Sequence, residues 1–169
     1  MKLNELVAHN AKFAIDYVHM LCDSIPDELF GRTIEGVKAN HPAWVISHLN
    51  CYPDKVMFPM LGAQDRAVDC SRWVEVGNAG TECLDDPEGA IYAPKGELLA
   101  AFDDRYKAVA SYFPSVDIEA LMQPIEDEAR AKRVPTIGAF MQFLVGQHVM
   151  MHMGQVSTWR RVKGLGSAM

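Results

Sequence analysis

The segment after Pro135 constrains the fold most, because it carries an unbroken helical pattern for about seven turns. Its candidate core residues recur in steps of three and four, which is the spacing of a helix face packed into a core. This stripe comprises Ile137, Met141, Leu144, His148, His152, Gln155, Trp159 and Val162. Thr136 is suited to cap the start of the helix, and Gly164 is suited to end it near Lys163.

Three further segments have helical periodicity, near residues 3–22, 42–61 and 94–113. Asn40 or His41 would cap the second helix, and Pro53 is expected to kink that helix or end it early. No segment has the alternation of a convincing strand. The sequence therefore predicts an all-α fold, a four-helix bundle formed by one domain over residues 1–169.

The long connector between helices two and three, residues 62–93, has no regular pattern. It allows those two helices to run parallel, which a simple up-and-down path would not need. Loops of this length are uncommon in compact domains unless they are functional or contain small elements. We expect a lid or pocket wall here, anchored to the core by Trp73 and Tyr92.

Composition narrows the class of protein. The net charge is −6 with no basic run, so nucleic-acid binding is not indicated. No stretch reaches the roughly 18 apolar residues of a membrane span, and the N-terminus lacks the pattern of a secretory signal. The four cysteines form no CxxC pair, which is typical of reduced thiols in a cytoplasmic protein.

Two histidines lie in the middle of the terminal stripe. A buried polar group without a partner costs about 1–3 kcal/mol, so their placement needs a reason. His148 and His152 are one helical turn apart and can direct ring nitrogens at one ion about 2.0–2.1 Å away. Neutral imidazole suits zinc, nickel, iron or copper. The alternative is a pair of hydrogen-bonded core histidines.

A third ligand must come from another helix, and His48 is the candidate. It shares the inward face of the second helix with Trp44 and Val45. The other histidines are assigned elsewhere: His41 to the helix start, His9 to solvent and His19 to a position off the apolar stripe.

Cys51 follows His48 by three residues, about one helical turn. It is a fourth ligand, a reactive thiol or, as we favour, a small buried residue.

Two motifs resemble the DinB-like (damage-inducible, YfiT-type) superfamily of metalloenzymes: "AWVISHLN" and "VPTIGAFMQFLVGQHVMMHMGQVSTWRRVKG". The hallmark of that family is one histidine in helix two and HxxxH followed by Gly and Gln in the last helix. These positions fall on His48, His148, His152, Gly154 and Gln155.

The resemblance implies an up-down-down-up bundle and a divalent metal, zinc or nickel, held by the three histidines. It also implies a homodimer, which the methionines on several sides of the last helix favour. Some members of the family are thiol-dependent transferases or isomerases.

Three ligands leave an open coordination position, as in catalytic sites. A metal there would lower the pKa of a bound water or keep a thiolate ionised. The sequence thus favours a metal-dependent enzyme, a thiol S-transferase or a hydrolase, acting on a small-molecule thiol or electrophile. The alternative is a non-catalytic, dimeric helical bundle that binds a metal or a small molecule.

Three candidates for the catalytic base are not distinguished by the sequence: carboxylates of the long connector, Tyr52 and a hydroxide bound to the metal. Gln155 is expected to hydrogen-bond a ligand nitrogen or the backbone near the ligands. Gly154 is expected to let a neighbouring helix approach closely.

Overall fold

The structure is a computed structural model that describes residues 3–168, without the side chain of Leu3. No strand is present among these residues, and only two isolated β-bridges occur, Ile34–Val37 and Pro124–Thr136. The predicted all-α class is therefore confirmed. None of the described helices is long and apolar enough to cross a membrane.

The α-helices include every long helix that the periodicity predicts, together with shorter ones. In chain order they are α1 (Leu3–Cys22), α2 (Pro42–Asn50), α3 (Phe58–Met60), α4 (Ser71–Gly77), α5 (Lys95–Tyr112), α6 (Ile118–Leu121), α7 (Glu128–Ala131), α8 (Ile137–Gln142) and α9 (His148–Val162). Short 3₁₀ turns lie at Asp27–Leu29, Gln64–Arg66 and Phe113–Ser115.

Two π-helical segments lengthen the predicted second and last helices. Pro53–Met57 joins α2 to α3, and Phe143–Gln147 joins α8 to α9. Pro53 was expected to kink or end its helix, but the chain instead widens there, and Phe58 N–H bonds to the carbonyl of Pro53 five residues back. A proline lacks the N–H that a regular turn would use, and the wider turn absorbs that loss.

The helix ends follow ordinary capping chemistry. The His41 ring accepts the N–H of Trp44 at 3.2 Å, so His41 rather than Asn40 caps α2. The hydroxyl of Thr136 accepts an N–H in the first turn of α8 at 3.2 Å. Gly164 has φ +77°, the left-handed conformation that ends a helix.

The core lies between the inner faces of α1, α2, α5 and the α8–α9 segment. Its fully or nearly fully buried side chains include Val18, Leu21, Ile46, Leu49, Phe102, Tyr106, Val109, Leu144, Val156 and Trp159. Burying each such large apolar side chain contributes about 1.5–3 kcal/mol. Val162 ends the predicted stripe but is 58% exposed, because it lies about 200° around α9 from the buried Arg160 and so faces solvent.

The long connector carries α4, which packs against α2. Tyr92 is buried and Trp73 is partly buried against the core, so both anchor the connector as predicted. The Asp86 carboxylate accepts the N–H groups of Ala90, Ile91 and Tyr92 at 2.8–3.1 Å. The connector is therefore a structured segment with its own helix rather than an open loop.

The end of α9 is tied to the end of α1. The Arg160 guanidinium donates to the Leu21 carbonyl at 2.7 Å and to Ser24 Oγ at 3.0 Å. A cation is favourable at the negative end of a helix, so Arg160 stabilises the terminus of α1 as well as joining the two helices.

Candidate metal centre

Three buried histidines converge between α2 and α9. Nε2 of His148 lies 3.3 Å from Nε2 of His48 and 3.2 Å from Nε2 of His152. The three residues are only 4–5% exposed. Tetrahedral ligands with bonds of about 2.05 Å are about 3.3 Å apart, so the observed spacing matches one shared ion. The structure thus brings together the three residues that the sequence singled out.

The hydrogen bonds of two of these rings fix which nitrogen carries the proton. His48 Nδ1 donates to the Gly77 carbonyl at 2.7 Å, and His152 Nδ1 donates to Gln155 Oε1 at 3.2 Å. Gln155 Oε1 also accepts from Asn40 Nδ2 at 3.2 Å. Because these oxygens only accept, the protons lie on Nδ1 and the Nε2 lone pairs face the common point. The hydrogen bond expected of Gln155 is present.

Burial keeps the cluster neutral. Desolvation, followed by the neighbouring His152 and His48 rings, lowers the pKa of His148 to about 3. Desolvation followed by the His48 ring lowers the pKa of His152 to about 4, and desolvation also lowers the pKa of His48. Metal ligation requires neutral imidazole, so the cluster needs no deprotonation at neutral pH before it can bind an ion.

One nitrogen of the cluster is unsatisfied. His148 Nδ1 is buried and has no hydrogen-bond partner among residues 3–168. If Nδ1 carries the proton, three Nε2 lone pairs converge without a hydrogen between them; if Nε2 carries it, only one neighbouring lone pair receives a good hydrogen bond. A divalent cation at the common point binds all three Nε2 lone pairs, so the donor set fits a metal; His148 Nδ1 then carries the proton and still has no acceptor among residues 3–168.

Gly77, the last residue of α4, supports His48 and could not be identified from the sequence. A Cβ at this position would lie 2.5 Å from the backbone N of His48 and 2.6 Å from the carbonyl carbon of Ser47. Only glycine allows α4 to approach α2 so closely and to present its carbonyl to the His48 ring.

The close approach predicted for Gly154 is wrong. A Cβ there would have no heavy atom within 4 Å beyond the backbone of its own helix, and the residue is exposed. Gly154 follows His152 by two residues, which turns it about 200° around the helix towards solvent.

Aromatic rings surround the histidines. Trp44 stacks on His48 with centroids 5.0 Å apart and planes at 8°. The Tyr52 ring lies 5.1 Å from the His48 ring and 4.6 Å from the His148 ring. Burial raises the pKa of Tyr52, so its phenol keeps its proton at neutral pH. Tyr52, which the sequence offered as a base, is better suited to donate a proton.

No carboxylate or thiol of residues 3–168 joins the three histidines. The Cys51 thiol is buried and donates to the Ser47 carbonyl at 3.4 Å, and desolvation raises its pKa to about 12. The favoured interpretation of Cys51 as a small buried residue is confirmed, and the fourth-ligand and reactive-thiol alternatives are not supported.

The other histidines lie outside the cluster, as predicted. His41 caps α2 and its Nε2 contacts the Leu84 carbonyl at 2.8 Å. His19 lies between the carboxylates of Asp23 and Asp103, at 2.8 Å from each, and His9 is exposed.

An all-helical chain with three neutral histidines converging from two helices fits a metal-binding protein. The sequence model of the DinB superfamily matches residues 11–156, and the chain belongs to that superfamily. This match confirms the resemblance seen in the two motifs. No curated protein and no solved structure matches the chain.

Proposed function

We propose that the protein binds one divalent metal ion through Nε2 of His48, His148 and His152 and acts as a metal-dependent enzyme on a small molecule. The observation that carries this proposal is the set of three neutral Nε2 atoms, two pairs of which are 3.2–3.3 Å apart. The all-imidazole donor set favours zinc or nickel over calcium or magnesium. When bound, such an ion is a Lewis acid that lowers the pKa of a thiol or water at its free position.

The reaction class proposed is thiol S-transfer, with hydrolysis as its closest alternative. Three histidines and no fourth protein ligand among residues 3–168 support an open position for substrate. Tyr52 is the chain's own proton donor beside His48 and His148, since its phenol stays protonated at neutral pH. Gly77 and Gln155 hold the ligand rings through their Nδ1 atoms.

A non-catalytic role in binding a metal or a small molecule is the second candidate. The observation in its favour is the low exposure of the three histidines, 4–5%, which leaves little room for a substrate to reach the ion from solvent. A structural site of this kind would bind metal tightly and show no turnover.

We also propose that the long helical segments form one domain over residues 1–169, a four-helix bundle with up-down-down-up directions. The order of the side-chain contacts supports it. Contacts between α1 and α5 run in opposite order along the chain, Asn4 with Pro114 and His19 with Asp103. Contacts between the α2–α3 segment and α5 run in the same order, Asn50 with Leu98 and Asp54 with Arg105. Contacts between α1 and the α8–α9 segment also run in the same order, Asn10 with Gln142 and Leu21 with Arg160.

A homodimer is proposed from an apolar stripe on the outside of α1. Leu6, Phe13 and Met20 follow one another at seven residues, about two turns, and are 39%, 59% and 38% exposed. Met151 on α9 is a further exposed apolar side chain, at 54%. A cytoplasmic location is proposed because all four cysteines are unpaired.

Elemental analysis of untagged protein tests the metal proposal directly. We expect about one zinc or nickel per chain, lost in His48→Ala and His152→Ala but kept in His9→Ala, which removes an exposed histidine. No metal in the wild type and no uptake of added zinc or nickel would refute it.

A thiol screen then separates the two candidate functions. Metal-dependent conjugation of a low-molecular-weight thiol to an electrophile supports the enzyme. Tight metal binding without turnover of thiols or esters supports the non-catalytic role.

A further inference from the structure

A cavity of about 580 Å³ is lined by two arginines and by no acidic residue among residues 3–168. Its walls are Ala129, Arg130, Arg133, Val134, Phe140 and Phe143. This volume is typical of small-molecule sites, which combine apolar walls with a few polar groups. Here the polar groups are two guanidinium ions, although the chain as a whole carries a net charge of −6.

The two arginines are available for a ligand. Both side chains are exposed, and neither lies within ion-pair distance of a carboxylate among residues 3–168. Arg130 is held over the Phe140 ring, with its guanidinium carbon 4.9 Å from the centroid. This contact orients the guanidinium without using its hydrogen-bond donors.

The aromatic wall connects this cavity to the proposed metal site. The Phe140 and Phe143 rings are nearly parallel, at 10° with centroids 6.4 Å apart. Phe143 also packs against His148, with ring centroids 5.6 Å apart. Tyr52 contacts His148 on another side, with ring centroids 4.6 Å apart.

We propose that this cavity binds the carboxylate end of an anionic substrate with an apolar or aromatic body. The carboxylate lies between Arg130 and Arg133, since guanidinium groups bind carboxylates through paired charge-assisted hydrogen bonds. The body of the molecule packs on Phe140 and Phe143, and Phe143 in turn contacts His148. Any reaction of the bound molecule at the metal rests on the proposed function. Binding of the molecule in the cavity does not.

The test compares two ligands of the same shape, 3-phenylpropanoate and its uncharged amide, 3-phenylpropanamide. Calorimetric titration of the full chain, metal-free and zinc-loaded, should show at least about tenfold tighter binding of the carboxylate. Arg130→Gln and Arg133→Gln should each reduce that preference at least about fivefold. Arg161→Gln is the matched control, because it removes the same charge from an exposed site on α9.

Equal binding of acid and amide, no binding of the acid, or equal weakening by Arg161→Gln would overturn the carboxylate site. The link to the metal has its own measurement. Cobalt-loaded protein should relax the protons of bound 3-phenylpropanoate several-fold faster than zinc-loaded protein, and equal rates would overturn that link. If the chain takes up no metal, the proposed function fails, while the comparison of acid and amide in metal-free protein still decides the cavity.

Discussion

Substituting Gly77 by alanine is the sharpest perturbation of the candidate metal centre that leaves all three histidines in place. The new Cβ would lie 2.5 Å, 2.6 Å and 2.9 Å from three backbone atoms of Ser47 and His48. Backbone atoms cannot rotate away as a side chain can, so α4 must move away from α2. We expect this movement to break the hydrogen bond from His48 Nδ1 to the Gly77 carbonyl, now 2.7 Å.

The magnitude follows from three effects. Overpacking costs about 1–3 kcal/mol. Leaving the buried Nδ1–H of His48 without an acceptor costs about 1–3 kcal/mol more. The better helix propensity of alanine offsets up to about 1 kcal/mol, so the free energy of unfolding should fall by about 1–6 kcal/mol. Losing the partner that orients a metal-ligating histidine typically weakens metal binding about 10–100-fold.

Two assays measure these effects, and a matched variant controls them. Urea unfolding of the metal-free protein gives the stability, and competition with a chromophoric chelator gives the zinc affinity. Gly154→Ala makes the same substitution two residues from His152, where a Cβ meets no heavy atom within 4 Å beyond the backbone of its own helix. It should bind zinc like the wild type and be as stable or slightly more stable. Wild-type affinity and stability in Gly77→Ala, or equal losses in both variants, would refute the reasoning.

Three further predictions concern pH, a buried ion pair and assembly. In the metal-free fold the pKa values of His148 and His152 are lowered to about 3 and about 4. In the unfolded chain both histidines have pKa values near about 6.5, so between about pH 6.5 and pH 4 the unfolded chain binds protons that the folded chain does not. Urea unfolding should show stability falling by up to about 1.4 kcal/mol per pH unit for each histidine as the pH drops through that range, and constant stability from pH 7.5 to 5 would contradict it. Asp54→Asn should lower the free energy of unfolding by about 1–3 kcal/mol, the range for losing hydrogen bonds to a charged group. It removes the carboxylate 3.0 Å from the Arg105 guanidinium, which is 13% exposed, and leaves only the exposed Asp104 carboxylate at 3.7 Å as a counter-ion among residues 3–168. Unchanged stability in urea unfolding would contradict this role. Phe13→Asp should convert the proposed dimer to a monomer in sedimentation velocity, and an unchanged sedimentation coefficient would exclude α1 as the interface.

The sequence predicts the parts of this protein that depend on local spacing. The long helices follow from apolar residues at steps of three and four, and His148 and His152 follow from their one-turn separation. His48 could be placed on an inward face, but its meeting with the other two depends on how α2 packs against α9. That step was supported by the family motif rather than by periodicity.

Other parts of the site depend on contacts between segments distant in sequence. Gly77 lies in a connector without a long periodic pattern, and its role appears only when α4 packs on α2. Gly154 belongs to a motif shared with the family, yet its orientation on α9 turns it to solvent. The π-helical segments were missed because a stripe drawn at 3.6 residues per turn cannot register an extra residue.

Because the segment Phe143–Gln147 is π-helical, the number of residues in it sets how α8 is rotated relative to α9. Removing one residue there would return the turn to regular α-geometry and rotate α8 by about 100° relative to His148. Phe140 and Met141, both buried, would then turn out of the core, and Phe140 would leave the wall of the arginine-lined cavity. Point substitutions in these five residues are therefore more easily accommodated than a deletion. In related sequences that keep the histidine cluster, the number of residues between Thr136 and His148 should be constant even where the residues themselves vary.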